Sequence, residues 1–304
     1  MLTILHISDL HFGPFYVPRV GEALLGAANE LNADIIVASG DFTQRAKPAE
    51  FQQARALLDA LPDVPKVVIP GNHDVPLYRF AERAFRPFMY YKQYISEELE
   101  TVLRHKDARI VALNTTAPLR AIVNGRIEPH DLEFCRESFK DVPAGVAKIV
   151  VAHHHFAPAP DYEGGDVMPH AKEAMEAFAE MGVDMVLGGH LHRAYIGNSL
   201  DVYPGIDRDQ GVIIIQSGTT TSRRGRARER EKNSFNLIRI TEDRVRVTHY
   251  MYFSDMAGFA PISRHLFPRP GKHYLSDLQE PADVPSASVE GVALAPPVGV
   301  EPKG

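Results

Sequence analysis

The chain has 304 residues, 44% of them apolar and 24% charged, with a formal net charge of −6. This is an ordinary balance for a folded protein and excludes a largely disordered chain, while no run approaches the roughly 18 consecutive apolar residues of a membrane span. The amino-terminal Met1-Leu2-Thr3-Ile4-Leu5 lacks the basic segment of a secretory leader, and Cys135 is the one cysteine, so neither an intrachain disulfide nor a cysteine-rich zinc site can form. A cytoplasmic protein is expected, and the acidic balance argues against a broad nucleic-acid-binding face.

Taken in chain order, short Ile- and Val-rich runs alternate with helical patterns. Thr3 to Ile7 predicts a strand and Val17 to Leu31 a helix. Ile35 to Ser39 predicts a second strand. Pro48 to Leu61 carries Phe51, Ala54, Leu57, Leu58 and Leu61 at the spacing of an amphipathic helix. Val67 to Ile69 is a third strand, and Phe80 to Leu103 reads as a long helical region broken at Pro87. Arg109 to Leu113 is a strand, His130 to Phe139 a helix, Lys148 to Ala152 a buried-type strand, Ala171 to Met181 a helix and Asp184 to Leu187 a short strand. Gly211 to Ser217, Ser234 to Ile240 and Arg244 to Phe253 lack intervening helices and predict an antiparallel meander. From about Ala260 onward Pro and Gly dominate. The expected organisation is one domain over residues 1–255 and an extended tail over 256–304, which wraps the surface, is flexible or packs on a neighbouring subunit. Strand–helix alternation predicts an α/β fold with a largely parallel sheet, and sites in such sheets form at the carboxyl ends of strands.

Those ends carry Ser8-Asp9-Leu10-His11, Gly40-Asp41, Gly71-Asn72-His73-Asp74, His153-His154-His155 and Gly189-His190-Leu191-His192. Five strand ends thus present oxygen and imidazole groups and no thiolate, a donor set for Mn, Fe or Zn rather than calcium. Any one such residue is ordinarily a cap or a structural histidine; the joint pattern is not explained that way. In an extended segment residues i and i+2 share a side, which would let Asp9 with His11, and His190 with His192, face one cavity.

The ordered motifs Asp9-x-His11, Gly40-Asp41, Gly71-Asn72-His73-Asp74, His153 after an apolar strand and Gly189-His190-x-His192 resemble the calcineurin-like metallophosphoesterases over roughly residues 2 to 250. Ser39-Gly40-Asp41-Phe42-Thr43-Gln44 and the triple histidine are most similar to the bacterial class III cyclic-nucleotide phosphodiesterase group. The resemblance implies a four-layer αββα sandwich, followed here by the Pro/Gly-rich tail, and two divalent metal ions. It implies Asp9, His11 and His192 on the first ion, Asn72, His153 and His190 on the second, and Asp41 bridging both, with His154 or His155 as the alternative to His153. It further implies a metal-dependent phosphoric ester hydrolase that cleaves phosphodiesters by attack of a metal-bridging hydroxide. His73 is the expected proton donor to the leaving oxygen, with Asp74 orienting its ring.

Two basic features are candidates for substrate contact. Arg45 sits where the Ser/Thr phosphatase branch has a phosphate-contacting Arg, although Gln44 and Ala46 depart from that branch's Gly-Asp-x-x-Asp-Arg-Gly. The stretch Arg223 to Arg230 either overhangs the cleft or is a solvated loop. The expected partner is a small phosphate ester, with no membrane partner, nucleic acid less favoured and a homodimer admitted through the tail. Phosphomonoesterase and nuclease activities are the alternatives within the superfamily. A non-catalytic scaffold is the alternative outside enzymology, disfavoured because all seven ligand-type residues and His73 are present.

Overall fold

The Ile- and Val-rich runs become strands covered on both faces, which is why they read as continuous apolar stretches rather than alternating ones. The computed structural model describes residues 1–120, 123–158, 167–203, 211–226 and 229–269. In chain order the elements are β1 (Leu2–Ile7), α1 (Pro18–Leu31), β2 (Ile35–Ala38), α2 (Pro48–Ala60), β3 (Lys66–Val68), α3 (Phe80–Phe85), α4 (Met89–Tyr94), β4 (Thr101–Arg104), β5 (Ala108–Leu113), α5 (Pro129–Phe139), β6 (Ala147–Ala152), α6 (Ala171–Glu180), β7 (Met185–Gly188), β8 (Tyr195–Asn198), β9 (Ile213–Gln216), β10 (Ser234–Ile240), β11 (Arg244–Phe253) and β12 (Gly258–Pro268). They form two six-stranded sheets, ordered β12-β11-β10-β1-β2-β3 and β4-β5-β6-β7-β9-β8.

Alternate residues of each central strand serve different cores. Leu2 and Ile4 of β1 and Ile35 and Val37 of β2 meet Ile149 and Val151 of β6 and Met185 and Leu187 of β7 between the sheets. Leu5, Ile7, Ile36 and Ala38 point the other way, onto Leu24 and Ala28 of α1 and Phe51 and Ala54 of α2. Val150 and Ala152 cover Cys135 and Phe139 of α5 and Ala174 and Phe178 of α6. The layers are therefore helix, sheet, sheet, helix, as the resemblance implies. No helix among the described residues is long and apolar enough to cross a membrane.

Three expectations are corrected. Phe80 to Leu103 is not one broken helix: after α3 and α4 the chain turns at Ser96 to Glu100 and enters β4, an edge strand paired antiparallel with β5. Tyr91 is fully buried and Phe88, Tyr90 and Tyr94 pack on the helix-side core, whereas Phe85 is exposed. The Gly211 to Ser217 run is not part of a meander. As β9 it inserts between β7, to which it is parallel, and β8, to which it is antiparallel. The third correction concerns the tail. Residues 258–268 are not an extended appendage but β12, paired with β11 from Phe253↔Gly258 to Arg244↔Pro268. A boundary at 255 would cut this hairpin. Phe259 packs on Phe235 with ring centroids 4.8 Å apart, and Phe267 packs on the inter-sheet core. These residues thus bury against their own chain, while the rest of the tail expectation falls on residues 270–304, outside those described.

Candidate metal centre

The parallel strands β1, β2, β3, β6 and β7 end on one side of the molecule, and their following loops carry the predicted residues. Asp9, His11, Asp41 and His192 have ligand-type atoms that all lie within 4.8 Å of one another, as do those of His153, His154 and His190. Asn72 Oδ1 lies 3.2 Å from His153 Nε2 and 3.0 Å from His190 Nδ1. Asp41 joins the groups, with Oδ2 3.6 Å from His11 Nε2 and 3.4 Å from His153 Nε2. His192 Nε2 is 3.2 Å from Asp9 Oδ1 and 2.9 Å from His11 Nε2. All seven predicted ligand positions thus converge, and His154 joins them.

The local reason for convergence differs from the expected one. Asp9, His11, Asp41, His190 and His192 are not extended; each has a positive φ, between 48° and 73°. Left-handed backbone at non-glycine residues costs about 1–3 kcal/mol apiece and persists where surrounding structure enforces it. The enforcement is visible in backbone bonds that tie the loops together, Asp9 N–H to Gly40 O at 3.0 Å and His11 N–H to Asp41 O at 3.0 Å. Gly40 turns at φ +97° against the His153 ring, and Gly71 leaves no room for a Cβ beside the Asp41 carboxylate.

The donor set suits cations. Asp9 Oδ1 and Asp41 Oδ2 are buried and accept no hydrogen bond, an arrangement that costs several kcal/mol unless a positive charge satisfies it. Burial alone would raise both carboxyls. His192 and His11 around Asp9, and His153, His73 and His11 around Asp41, hold them well below the usual range. Burial pulls His153 down, but Asp41, Asp9 and the Ser39 carbonyl together outweigh it and push the ring up to about 9. The imidazoles are also oriented from behind: His153 Nδ1 faces Ser39 O at 2.7 Å and His192 Nδ1 faces Arg224 O at 3.1 Å. A backbone carbonyl on the outer nitrogen presents the inner one as a lone pair, a common support for metal-binding histidines. His6 Nε2 pairs with Ser39 Oγ at 2.9 Å. His154 Nδ1 pairs with Thr115 Oγ1 at 2.7 Å, and its buried Nε2 has no hydrogen bond.

His73 sits beside this centre, its ring 4.9 Å from that of His11 and its amide donating to Asp41 Oδ1 at 2.8 Å. Asp74 does not orient that ring. Its carboxylate accepts from the amides of Gly71 (2.9 Å), Phe42 (3.2 Å) and Thr43 (2.9 Å) and from Thr43 Oγ1 (2.9 Å), stapling the Asn72–Asp74 turn to the loop after β2. Burial, with Asp41 nearby, pushes it up to about 7. The ring is instead held by Gln44, whose carbonyl lies 3.0 Å from Nδ1, and by Arg224, whose Nη1 lies 2.9 Å from Nε2. Burial lowers the His73 pKa, with Asp41 opposing and Arg224 adding to the fall.

Of the two basic features, Arg45 turns away. Its guanidinium stacks on Tyr78, 4.5 Å from the ring centroid. The basic stretch supplies the cation, through Arg224. Sequence reading could not select it, because the side chain it meets is 180 positions away at Gln44.

A model of the family described as calcineurin-like phosphoesterase matches residues 2–194. The chain is 28% identical over 221 residues to a probable cyclic nucleotide phosphodiesterase of Synechococcus sp., covering 67% of this chain and 79% of that protein. It is 27% identical over 239 residues to a cAMP/cGMP dual specificity phosphodiesterase of Mycobacterium tuberculosis, covering 71% of each. Its fold is similar to that of a purple acid phosphatase from yellow lupin seeds, with a TM-score of 0.64 and 13% identity, covering 87% of this chain and 53% of the other. The chain therefore spans about half the length of the lupin protein.

Proposed function

The chain belongs to the calcineurin-like phosphoesterase family, and on that premise we propose that it hydrolyses a small phosphodiester, a cyclic nucleotide or a close chemical relative, at two divalent cations drawn from Mn, Fe and Zn. Phosphate-ester hydrolysis goes with the family. The finer reading rests on one observation above all: two buried carboxylate oxygens, Asp9 Oδ1 and Asp41 Oδ2, accept no hydrogen bond and are ringed by imidazole nitrogens from separate loops. Asp9, His11 and His192 would hold one cation, Asn72, His153 and His190 the other, and Asp41 both. Similarity to the probable cyclic nucleotide phosphodiesterase of Synechococcus sp. and the cAMP/cGMP dual specificity phosphodiesterase of Mycobacterium tuberculosis supports the diester, and the single buried cysteine supports a cytoplasmic setting.

When bound, such a cation pair supplies Lewis-acid stabilisation of the phosphoryl oxygens and a water-derived nucleophile at neutral pH. The chain's own residues do the rest. Asp41 fixes His73 through the His73 amide, and Gln44 O holds the ring by Nδ1, so Nε2 is the atom aimed at the leaving oxygen. Nε2 accepts from Arg224 and carries no proton while the ring is neutral. The ring therefore becomes a donor only after taking a proton from solvent at Nε2. That proton passes to the leaving oxygen as the P–O bond breaks and water adds to phosphorus, giving a phosphomonoester and an alcohol. Asp74 keeps the turn in place rather than touching substrate.

The reading is tested by reconstituting the purified chain with Mn, Fe or Zn and assaying a bis-aryl phosphodiester, an aryl phosphomonoester, cyclic AMP and single-stranded DNA. The diesters are expected to turn over fastest. Asp41→Ala is expected to lose bound metal and at least about 100-fold in kcat/KM, since it removes the carboxylate common to both groups. Full metal content with undiminished turnover in that variant would refute the assignment.

A further inference from the structure

Arg224 lies beyond residues 2–194, the span of the family match, on the segment that follows β9. That segment is pinned against the centre from several sides. The Arg224 carbonyl receives His192 Nδ1, the Arg226 amide donates to His192 O at 3.2 Å, the Arg223 amide donates to Phe15 O at 3.0 Å, and Asn233 Nδ2 donates to Ser222 O at 2.8 Å. The first of these makes one residue both a support for His192 and the carrier of a guanidinium. Arg224 cannot shift its backbone without disturbing the imidazole behind it, so the reach of its side chain is set by the centre itself.

The side chain returns over that centre. Nη1 lies 2.9 Å from His73 Nε2 and 3.0 Å from Gln44 Oε1. Both partners are neutral acceptors, and both contacts use the same nitrogen of a planar group with five N–H donors. Burial lowers the Arg224 pKa, while the charges of Asp41 and Asp9 act against that fall. A half-buried guanidinium held by neutral acceptors at the edge of an anion-hydrolysing site is poised to exchange them for a better partner. Its fork matches two oxygens of a phosphoryl group, where two parallel N–H···O bonds join opposite charges.

We propose that Arg224 is the residue of this chain that grips the substrate's phosphoryl group, leaving His73 Nε2 and Gln44 Oε1 for the non-bridging oxygens and uncovering the His73 ring edge toward the leaving oxygen. This deepens the phosphodiester reading and rests on the same site. In the unliganded protein Gln44 and His73 are the parking place of the guanidinium. In the complex Gln44 keeps the ring by its carbonyl while the arginine moves to substrate.

The experiment compares wild type with Arg224→Ala, Arg224→Gln and Arg224→Lys, all full length and metal-reconstituted, by metal content, by calorimetric titration with inorganic phosphate and by turnover of the bis-aryl diester. Metal content is expected to stay unchanged. Phosphate affinity is expected to fall about 10- to 100-fold in the Ala and Gln variants, the range for one lost charged hydrogen-bonding group. Arg224→Lys is expected to recover part of the loss, because it restores charge without the fork. kcat/KM should follow the same order. Phosphate affinity equal to wild type in both neutral variants, or absence of phosphate binding to the wild type, overturns the proposal. A wild type that binds phosphate through Arg224 yet cleaves no diester leaves this inference standing and removes the phosphodiester reading instead. Should Arg224→Ala fail to fold, the Gln and Lys variants carry the comparison.

Discussion

At the residue scale, the properties that matter are those of groups held where solution chemistry would not put them. The carboxyls of Asp9 and Asp41 stay well below the usual carboxylate range although buried, because imidazoles surround them. Burial, with Arg224 adding to it, lowers the His73 pKa against the pull of Asp41, so the ring must gain its second proton before it can donate one, while its amide donates to the Asp41 carboxylate. Its role as proton donor predicts a leaving-group dependence. His73→Ala should retain both metals by mass spectrometry yet lose about 100-fold or more in kcat with an alkyl leaving group, and much less with an activated aryl one, which departs without a proton. Equal losses on the two substrates would show that His73 acts in another way. The residue types that converge at the candidate centre were legible at the strand ends. Their geometry was not, because positive φ at five of them is a property of neighbouring loops rather than of the residues named.

Among the elements, β1, β10 and β11 carry a polar row at the edge of the inter-sheet core. His6 pairs in register with Asn236 and Asn236 with His249, and His249 Nδ1 contacts Asn236 Oδ1 at 2.9 Å. Burial, with His265 nearby, pushes the His249 pKa down from 6.5 to about 4. The unfolded chain therefore binds the proton more tightly between those values. Stability from keeping His249 neutral is complete above pH 6.5 and drains away as the pH falls from there toward 4, by about 3 kcal/mol in all. Melting temperatures between pH 7.5 and 4.5 should consequently drop less steeply for His249→Gln than for wild type, and parallel curves would count against the assignment. The sequence showed a histidine in a strand. Its burial beside Asn236, which makes its protonation matter, required the register of β10 with β11.

For the whole molecule, the last described residue closes the sandwich. Arg269 follows β12 of one sheet and reaches Asp184, which precedes β7 of the other, through Nε to Oδ1 at 2.7 Å and Nη2 to Oδ2 at 3.2 Å. Nη1 adds a bond to Gly145 O at 2.8 Å. Both side chains are buried, so Arg269→Ala strands the Asp184 charge, at about 3 kcal/mol or more. A chain of this size should then melt about 5–10 °C lower, with metal content unaltered at room temperature. A melting temperature within a degree of wild type would show that the pair contributes nothing to holding the sheets. Local pattern sufficed for the strand–helix alternation, the site's location at the carboxyl ends and the chemistry of its donors, since each depends on residue type and period over a few neighbours. Four features needed the folded chain: β9 slotting between β7 and β8, β12 joining the sheet, Asp74 serving the backbone instead of His73, and Arg224 reaching Gln44. The β12 pairing is with its hairpin neighbour β11 and was hidden by the Pro- and Gly-rich composition around it, whereas the other three join segments farther apart in sequence and are chosen by the packing of the whole rather than by the preferences of either partner.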